Sequence, residues 1–362
     1  MQDSGERVKS KSISMSSFPN PFLGNPYLSL LYGALGRQGV SYVRSGYFGQ
    51  EWLREHRGKV DVLHFHWLDT YYGDGRNGVS LARLAAFVLK ILMARSLGYK
   101  VIWTMHNQYP HNRKRDWKAW LARFLCIHSV NVVCVTFPGA GADLARLFHR
   151  RRGVILLPHG NYDPVYPDIP SKAQARQELG LAQDDFVFFL FGGISPYKGA
   201  HAAVTAFSRV AAAGNTRLVV MGQCLNADYA ERLQRLAADL PGVRLCLGGD
   251  DVPDEVVCTW MSAVDCILAP YDEIYTSGML YLAATFGKPI IAPRQGVFST
   301  LGDREFVFLY DKAHREEQLP ERMAQVLSAD PREVSESARR FAVEHDWDRI
   351  AADALRDLKA CL

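Results

Sequence analysis

The residues best suited to chemistry in this sequence stand where a polar loop meets the start of a helix. Thr276-Ser277-Gly278 follows the loop 271–275 and precedes a run with helical periodicity, which Gly-Lys-Pro at 287–289 ends before a strand. The first N–H groups of a helix have no intrahelical partner, and together with the positive end of the helix dipole they bind phosphate. Because Ser-Gly is also a common helix cap, this segment alone leaves both interpretations open.

A second, glycine-rich loop strengthens the case for an anionic ligand. The apolar strand 186–191 leads through Gly192 and Gly193 to Lys198 and Gly199, after which an amphipathic helix begins. Glycine lets a ligand approach the backbone closely, and lysine supplies a point charge. The spacing is neither that of a dinucleotide fingerprint nor that of a Walker loop, and a lysine at a helix start is often only solvated.

Imidazole, amide and carboxylate groups follow three predicted strands of the first half. In chain order they are His64, His66, Trp67 and Asp69, then His106, Asn107 and His111, then His159 and Asn161. Ligands of open α/β sheets bind at the carboxyl ends of the strands, so these residues are candidates for a site. His64 and His66 share one face of a strand, where each could instead be a hydrogen-bonded core histidine, and Asp69 could cap a turn.

Strands and helices alternate along the whole chain, which predicts an α/β fold with parallel sheets. The pattern predicts five strands in each half. The segment 163–172 contains three prolines and has no periodicity, so it reads as a linker. We therefore expect an N-terminal Rossmann-like domain over 1–168, a second over 169–346, and a C-terminal helix over 347–362.

Together these segments resemble the GT-B glycosyltransferases, particularly the family-4-like sugar-nucleotide enzymes. The segments that carry the resemblance are the two loops above, HFHWLD (64–69), TMHNQYPH (104–111), PHGNY (158–162), LVVMGQ (218–223) and FAVEHDWDRIAADAL (341–355). The resemblance implies two Rossmann-like domains that face a central cleft, with the C-terminal helix packed back on the first domain. It also implies that the two loops hold a nucleotide diphosphate.

The chain departs from the family pattern at three positions. The family usually has an arginine five residues before the lysine of the first loop, where this chain has Gly193. It also has two glutamates before Gly-Lys-Pro, and here those positions hold Ile274 and Leu282, with Glu273 adjacent to the first. This is a diverged branch, and the departures favour inversion of the anomeric configuration over retention, which stays open.

The resemblance and the strand-end residues together give the candidate roles. The proposed donor-binding residues are Gly192, Gly193, Lys198, Glu273, Tyr275, Thr276, Ser277 and Gly278. The proposed acceptor-binding residues are His66, Trp67, Asn107, His159 and Asn161. A glycosyl transfer needs a base for the acceptor hydroxyl and donors for the departing diphosphate, so Asp69 or His106 is the candidate base and Lys198 the candidate phosphate clamp.

The expected function is transfer of a sugar from a nucleotide-sugar donor to a saccharide or polyprenyl-linked saccharide in polysaccharide assembly. GDP-mannose is preferred over a UDP-sugar because exopolysaccharide mannosyltransferases carry similar HFHW and TSG-helix segments. Two alternatives remain. One is a sugar-nucleotide epimerase or phosphorylase on the same fold, and the other is an inactive nucleotide-sugar-binding scaffold, which the lost arginine and glutamate would suit.

The composition limits the other classes of function. Hydrophobic residues make up 48% and charged residues 22% of the chain, as in globular proteins, and a net charge of +4 is too small to indicate nucleic-acid binding. Seven cysteines without a CxxC pair predict neither a disulfide framework nor a zinc site. A metal site of His64, His66 and His106 has no supporting spacing, so we expect no metal or other cofactor. With no visible signal peptide or membrane-spanning run, a cytoplasmic location is expected.

A basic segment rich in aromatic residues follows the second group of strand-end residues. From Asp116 onward a helix would place one apolar stripe on a single face, made of Trp117, Trp120, Leu121, Phe124 and Leu125. The basic residues around it are Arg113, Lys114, Arg115, Lys118 and Arg123. Such a helix suits an anionic membrane surface on the inner face of the plasma membrane, although a core-facing helix with solvated charges would show the same pattern.

Overall fold

The computed structural model of the protein describes residues 12–21, 26–74, 78–109, 115–211 and 215–362. The N-terminal segment 1–11, His111, Arg113 and Lys114 lie outside the described residues. Contacts divide the chain into two compact units. The first unit comprises Met1–Thr136, Gly141–Leu157 and Trp347–Leu362, and the second comprises Phe137–Ala140 and Pro158–Asp346.

The described part of the first unit contains a parallel sheet of six strands. These are β1 (Ser14–Phe18), β2 (Ser41–Tyr42), β3 (Val62–Phe65), β4 (Lys100–Met105), β5 (Val132–Val135) and β6 (Val154–Leu156). Their order across the sheet is β2-β1-β3-β4-β5-β6. The chain adds β2 on one side of β1 and β3 on the other, so the switch point of this sheet lies between β1 and β3. Ligands of open α/β sheets bind preferentially at such a point.

The second unit, over its described residues, also has six parallel strands. They are β7 (Phe186–Phe191), β8 (Thr216–Gln223), β9 (Val243–Gly248), β10 (Cys266–Leu268), β11 (Ile290–Pro293) and β12 (Val307–Tyr310). The order β12-β11-β10-β7-β8-β9 is that of a doubly wound Rossmann sheet, with its switch point between β7 and β10. The predicted α/β fold with two Rossmann-like parallel sheets is confirmed.

Helices connect these strands and cover the sheets. Those of the first half are α1 (Pro26–Arg37), α2 (Gln50–Glu55), α3 (Asp69–Tyr72), α4 (Leu81–Ser96), α5 (Trp117–Ser129) and α6 (Ala140–Phe148). Those of the second half are α7 (Lys172–Leu179), α8 (Ala200–Phe207), α9 (Ala227–Ala237), α10 (Asp254–Ala263), α11 (Gly278–Thr285), α12 (Arg315–Leu327), α13 (Pro331–Glu344) and α14 (Trp347–Cys361). Across the described ranges, no helix has both the length and the apolar character of a membrane span.

Each sheet contains one strand more than the sequence pattern predicts. β1 reads SMSSF, which lacks an apolar alternation because its serines are buried through hydrogen bonds. Ser16 Oγ donates to the carbonyl of Val43 at 2.7 Å, and Ser17 Oγ donates to that of Pro19 at 2.6 Å. β12 was also missed, although β3, β5 and β11, which are equally short, were predicted. A strand whose buried residues are polar escapes a hydrophobic pattern.

The last helix, α14, belongs to the first unit because it completes the core beside α1. Trp347, Ile350 and Leu358 of α14 are buried in one cluster with Leu28 and Leu31 of α1. At the rim of this contact, Arg37 Nε donates to Asp348 Oδ1 at 2.7 Å. The apolar face of α14 is therefore part of the first unit's core.

The structure moves the boundary between the units from the predicted 168/169 to 157/158. The segment after β6 is held by the second unit through its backbone. Asn161 N–H donates to the carbonyl of His345 at 2.8 Å, and Tyr162 N–H donates to Thr285 Oγ1 at 2.9 Å. Residues 158–168 consequently belong with the candidate donor site.

Candidate active site

The loop between β7 and α8 contains two glycines whose backbone conformations other residues rarely adopt. Gly192 has φ +113° and Gly199 has φ +73°, both in the left-handed region. A Cβ on Gly199 would overlap the carbonyl oxygen of Pro270, which follows β10. The glycine-rich loop is thereby pressed against the loop that follows β10, while Gly193 remains exposed.

Lys198 lies between these two loops, with its ammonium group over aromatic rings. Its Nζ is 4.7 Å from the ring centroid of Tyr271 and 5.9 Å from that of Tyr197. Burial lowers the pKa of Lys198, but the interactions with Tyr271 and Tyr197 outweigh it, so the pKa is raised above the ordinary value. The side chain therefore presents a positive charge at neutral pH.

The 271–278 loop runs beside the glycine-rich loop and ends at the N-terminus of α11. Asp272 N–H donates to the carbonyl of Tyr197 at 2.7 Å, which ties the two loops together. Ser277 is the N-cap residue, yet its side chain makes no capping hydrogen bond. The buried Thr276 Oγ1 has no hydrogen-bond partner among the described residues. The first N–H groups of α11 are thus left without a serine cap, as an anion site requires.

The structure brings both candidate loops to the switch point of the second sheet. The glycine-rich loop follows β7 and the 271–278 loop follows β10, and these strands are neighbours. This is where open doubly wound sheets bind ligands. Among the predicted donor-binding residues, Glu273 is half-buried and Tyr275 buried on the same loop.

His159 lies beside the start of α11 in the second unit, not in the first unit as the predicted boundary would have it. Its Nδ1–H donates to the carbonyl of Gly160 at 2.7 Å, and its Nε2 is 3.3 Å from the hydroxyl of Tyr162. Burial lowers the pKa of His159 to about 4, so the ring is neutral and Nε2 accepts from Tyr162. A Cβ on Gly278 would lie 2.8 Å from the Tyr162 hydroxyl oxygen, so glycine is needed there.

Asn161, also predicted to bind the acceptor, is used inside the second unit. It is buried, and its Nδ2 donates to the carbonyl of Ala342 at 3.0 Å. This contact fixes the chain after β6 onto α13. The side chain therefore has a structural contact, and its acceptor-binding role stays a prediction.

In the first unit, the histidines after β3 and β4 form a hydrogen-bonded chain with Tyr32 of α1 and Thr104. The hydroxyl of Tyr32 is 2.7 Å from His64 Nδ1 and 3.2 Å from His66 Nε2. His64 Nε2 is 2.7 Å from Thr104 Oγ1, and His66 Nδ1 is 3.1 Å from His106 Nε2. The chain leads from the core to the half-buried ring of His106 at the carboxyl edge of the sheet.

Burial sets the ionisation of the inner members of this chain. It lowers the pKa of His64 to about 3, with a smaller contribution from His106, and it lowers that of His66 well below the ordinary value. His66 is 1% exposed, which leaves no surface for a saccharide. Its Nδ1 contacts His106 instead, and the acceptor-binding role of His66 stays a prediction.

Trp67 covers His106 at the edge of the sheet. The indole of Trp67 stacks on the His106 ring at 5.0 Å between centroids and 18° between planes. Asp69 begins the single-turn helix α3, and Asn107 directly follows His106. Within the described residues, no group of three or more His, Cys, Asp or Glu side chains is arranged to hold a metal ion.

Sequence reasoning missed the tyrosines that organise both sites. Tyr32 contacts His64, which is remote from it in the chain, and Tyr162 contacts His159 across a turn. Tyr271 of one loop contacts Lys198 of the other. Only Tyr271 carries a local signal, since it stands directly after a strand and its proline. Tyr32 lies on a helix whose pattern predicts only burial.

Comparison with known proteins agrees with this geometry. Residues 185–329 match the family described as Glycosyl transferases group 1. The chain is 24% identical over 338 residues to a GDP-mannose:glycolipid 4-beta-D-mannosyltransferase of Xanthomonas campestris pv. campestris, across 90% of this chain and 85% of that protein. Among solved structures, Anabaena Alr3699/HepE in complex with UDP-glucose superposes with a TM-score of 0.72 at 15% identity, covering 96% of this chain and 99% of that one. Sucrose-phosphate synthase from Thermosynechococcus elongatus gives 0.72 at 17% identity, covering 97% and 100%.

The two doubly wound sheets and these structural matches define the GT-B fold. With the family match over the second unit, they identify an enzyme class, the glycosyltransferases. The chain is a diverged GT-B glycosyltransferase. It differs from the usual sequence pattern of the resembled family at Gly193, Ile274 and Leu282.

Proposed function

We propose that this enzyme transfers a hexose from a nucleotide-sugar donor, with GDP-mannose preferred, to a saccharide or lipid-linked saccharide in exopolysaccharide assembly. The observation that carries the proposal is the charged Lys198 on one loop of the switch point, with the start of α11, which lacks a serine cap, at the end of the neighbouring loop. This arrangement suits a diphosphate. The preference for GDP-mannose and a glycolipid acceptor rests on the Xanthomonas relative, while the UDP-glucose complex of the Anabaena protein keeps UDP-sugars as the second candidate.

The proposed reaction is a single displacement at the anomeric carbon. The acceptor oxygen forms a bond to that carbon while the bond to the diphosphate breaks, and the diphosphate leaves with the electron pair. Lys198 and the N–H groups of Ser277 and Gly278 neutralise the departing charge. Asp69 or His106 takes the acceptor proton. An inverting outcome is favoured by the departures at the family's arginine and glutamate positions and by the β product named for the relative.

A panel of nucleotide sugars tests the donor assignment directly. We expect GDP-mannose and GDP to raise the melting temperature of the pure protein more than UDP-glucose and UDP do, because a ligand at 100 times its Kd stabilises the native state by about 2.7 kcal/mol. A larger shift with the UDP compounds would overturn the GDP preference. No shift with any nucleotide would contradict the donor site itself.

Turnover of the donor that binds separates the alternatives. A transferase releases the nucleoside diphosphate only when a saccharide or polyprenyl-linked saccharide acceptor is added. Turnover without acceptor, or with phosphate as co-substrate, would indicate an epimerase or phosphorylase. Binding without turnover under all these conditions would indicate an inactive nucleotide-sugar-binding protein.

We further propose that the first unit contacts an anionic membrane surface through α5 and the adjoining α4. Trp117 is 63% and Leu89 65% exposed, so these apolar side chains are not core. Other exposed apolar residues on the two helices are Leu81, Leu92 and Trp120, and Phe124, half-buried, stacks on Trp120 at 5.0 Å. The core face of α5 is formed instead by Ala119, Ala122, Arg123 and Cys126. Lys90 and Lys118 add positive charge near the exposed side chains.

Replacing Trp117 and Trp120 together by serine is expected to release the protein from anionic vesicles without lowering its melting temperature. Trp117 is 63% and Trp120 39% exposed, so their loss removes apolar contact area with lipid, and neither belongs to the buried face of α5. Co-sedimentation with phosphatidylglycerol vesicles measures the effect, and Val343→Ser, at an exposed apolar residue of the second unit, is the control. Unchanged sedimentation, or a large loss of stability, would show that the stripe does not bind lipid.

A further inference from the structure

The chain Thr104–His64–Tyr32–His66–His106 contains four hydrogen bonds between groups that can each donate or accept. His64 and His66 are neutral because burial lowers the pKa of each, and burial raises the pKa of Tyr32 well above its ordinary value. A neutral imidazole has one N–H and one lone pair, and a phenol has one proton to donate. The direction of each bond therefore depends on its neighbours: the Tyr32 hydroxyl either donates to one histidine and accepts from the other, or accepts from both.

Three arrangements satisfy all four bonds. In the first, every proton points toward Thr104, so His106 donates through Nε2–H to His66 Nδ1. In the second, every proton points toward His106, so His66 donates through Nδ1–H and His106 Nε2 accepts. In the third, His64 and His66 both donate to the Tyr32 oxygen, and His106 again donates to His66 Nδ1. A neutral His106 therefore carries its lone pair on Nδ1 in the first and third arrangements and on Nε2 in the second.

The two distances at Tyr32 assign the first arrangement. An O–H donor gives separations of about 2.7–2.8 Å, whereas N–H donors give longer ones. The hydroxyl of Tyr32 lies 2.7 Å from His64 Nδ1 and 3.2 Å from His66 Nε2. Tyr32 accordingly donates to His64 and accepts from the Nε2–H of His66, which leaves His66 Nδ1 as the acceptor for His106.

We propose that His66, held by Tyr32, is a positioning residue that keeps His106 in its Nε2–H form and so makes Nδ1 the atom that takes the acceptor's proton. This rests on the proposed function only in the last step, the transfer of the acceptor O–H proton to Nδ1. When His106 is protonated, both its nitrogens donate, and the neutral His66 Nδ1 accepts from the imidazolium. No other proton in the chain has to move, because the first arrangement already accommodates the charged ring.

Other side chains pack around His106 and hold the ring in place. Trp67 covers one face, and the edge of Tyr27 meets the ring at 5.1 Å and 85°. Within the described residues, the titratable groups in contact with His106 include Tyr27 from α1 and His66, with His64 and Tyr32 behind His66, and Asp69 follows Trp67 by two residues. Rotation of the ring about its own axis would break the stack on Trp67 as well as the bond to His66.

The tautomer of His106 can be observed in the whole protein without substrate. Long-range ¹H–¹⁵N correlation spectra of ¹⁵N-histidine-labelled protein distinguish the two forms, and His106→Gln assigns the signal by removing it. We expect the Nε2–H form above the pH at which the ring titrates. A neutral His106 in the Nδ1–H form would overturn the proposal, whether or not the protein transfers a sugar.

The variant Tyr32→Phe tests the control exerted through His66. Without the hydroxyl, His66 is free to donate or accept, so we expect both tautomers of His106 and a titration midpoint lower by about one pH unit, the order of one hydrogen bond to a charged group. Tyr99→Phe removes an equally buried hydroxyl that donates to Leu53 at 2.6 Å in the same unit, and it should change neither quantity. An unchanged tautomer and midpoint in folded Tyr32→Phe would also overturn the proposal.

The activity measurement then separates this proposal from the assignment of the base. If His106 is the base, Tyr32→Phe shifts the acid limb of the kcat/KM profile together with the midpoint measured for the ring. If the spectra change as expected while the rate profile does not, His66 still positions His106, and it is the proposed role of His106 as base that fails.

Discussion

Lys198→Ala is expected to reduce kcat/KM for sugar transfer by a factor that corresponds to roughly 2–4 kcal/mol of lost transition-state stabilisation. The ammonium group is held over Tyr271 and Tyr197 between the two loops of the switch point. It is charged at neutral pH, since its pKa is raised. The variant loses this charge at the diphosphate in both the bound donor and the transition state, so donor affinity should fall as well.

The measurement is release of the nucleoside diphosphate from the donor with acceptor present, combined with calorimetric titration of the donor. Lys312→Ala removes an exposed lysine of the same unit and should leave both quantities unchanged. Since Lys198 makes no ion pair among those found in the described residues, the melting temperature of the free variant should remain close to that of the wild type. Unaltered catalytic efficiency would exclude Lys198 from the diphosphate site.

The second large effect concerns the base, and it separates Asp69 from His106. Asp69→Asn preserves the shape of the side chain and removes its basicity, so it should abolish transfer while donor binding persists if Asp69 is the base. His106→Ala should do so instead if the imidazole is the base. Transfer assays paired with donor titration distinguish loss of chemistry from loss of binding.

The pH dependence of kcat/KM gives an independent answer for the same two residues. Carboxylates ordinarily titrate at about pH 4 and imidazoles at about pH 6.5. A base must be deprotonated to act, so the rate falls as pH drops through its titration. An acid limb in the imidazole range that disappears in His106→Ala would identify the histidine. Near-normal turnover in both variants would contradict both assignments and direct the search to Glu273 in the second unit.

Much of the fold and of the candidate donor site could be predicted from local sequence. The continuous apolar strand 186–191, a glycine-rich turn and a helix together indicate half of a Rossmann unit, and the segment 271–293 indicates another. Their juxtaposition follows from topology, because adjacent parallel strands present their carboxyl ends at one edge. The loops that carry Lys198 and the start of α11 therefore become neighbours without any contact that depends on a particular side chain.

The histidine chain could be predicted only in part. The alternation of His64 and His66 shows that they share a face, and the strand order brings His106 to the same edge. The link to Tyr32 arises from the packing of α1 on the sheet, which no local pattern encodes. Likewise, serine side chains that donate to nearby carbonyls hide β1 from a hydrophobic pattern. Asn161 and His159 were placed with the wrong unit, since the linker prolines suggest a boundary later than the hydrogen bonds allow.

The return of α14 to the first unit has a consequence for the order in which the two cores are completed during translation. The first unit lacks the buried face of Trp347 and Ile350 until roughly 200 residues beyond β6 have been added. At 5–20 residues per second this takes about 10–40 s, and the second unit is fully synthesised first. In that interval the apolar side of α1 stays uncovered on the ribosome. The N-terminal unit is thus the last to complete its core, although its first strands are the first to be synthesised.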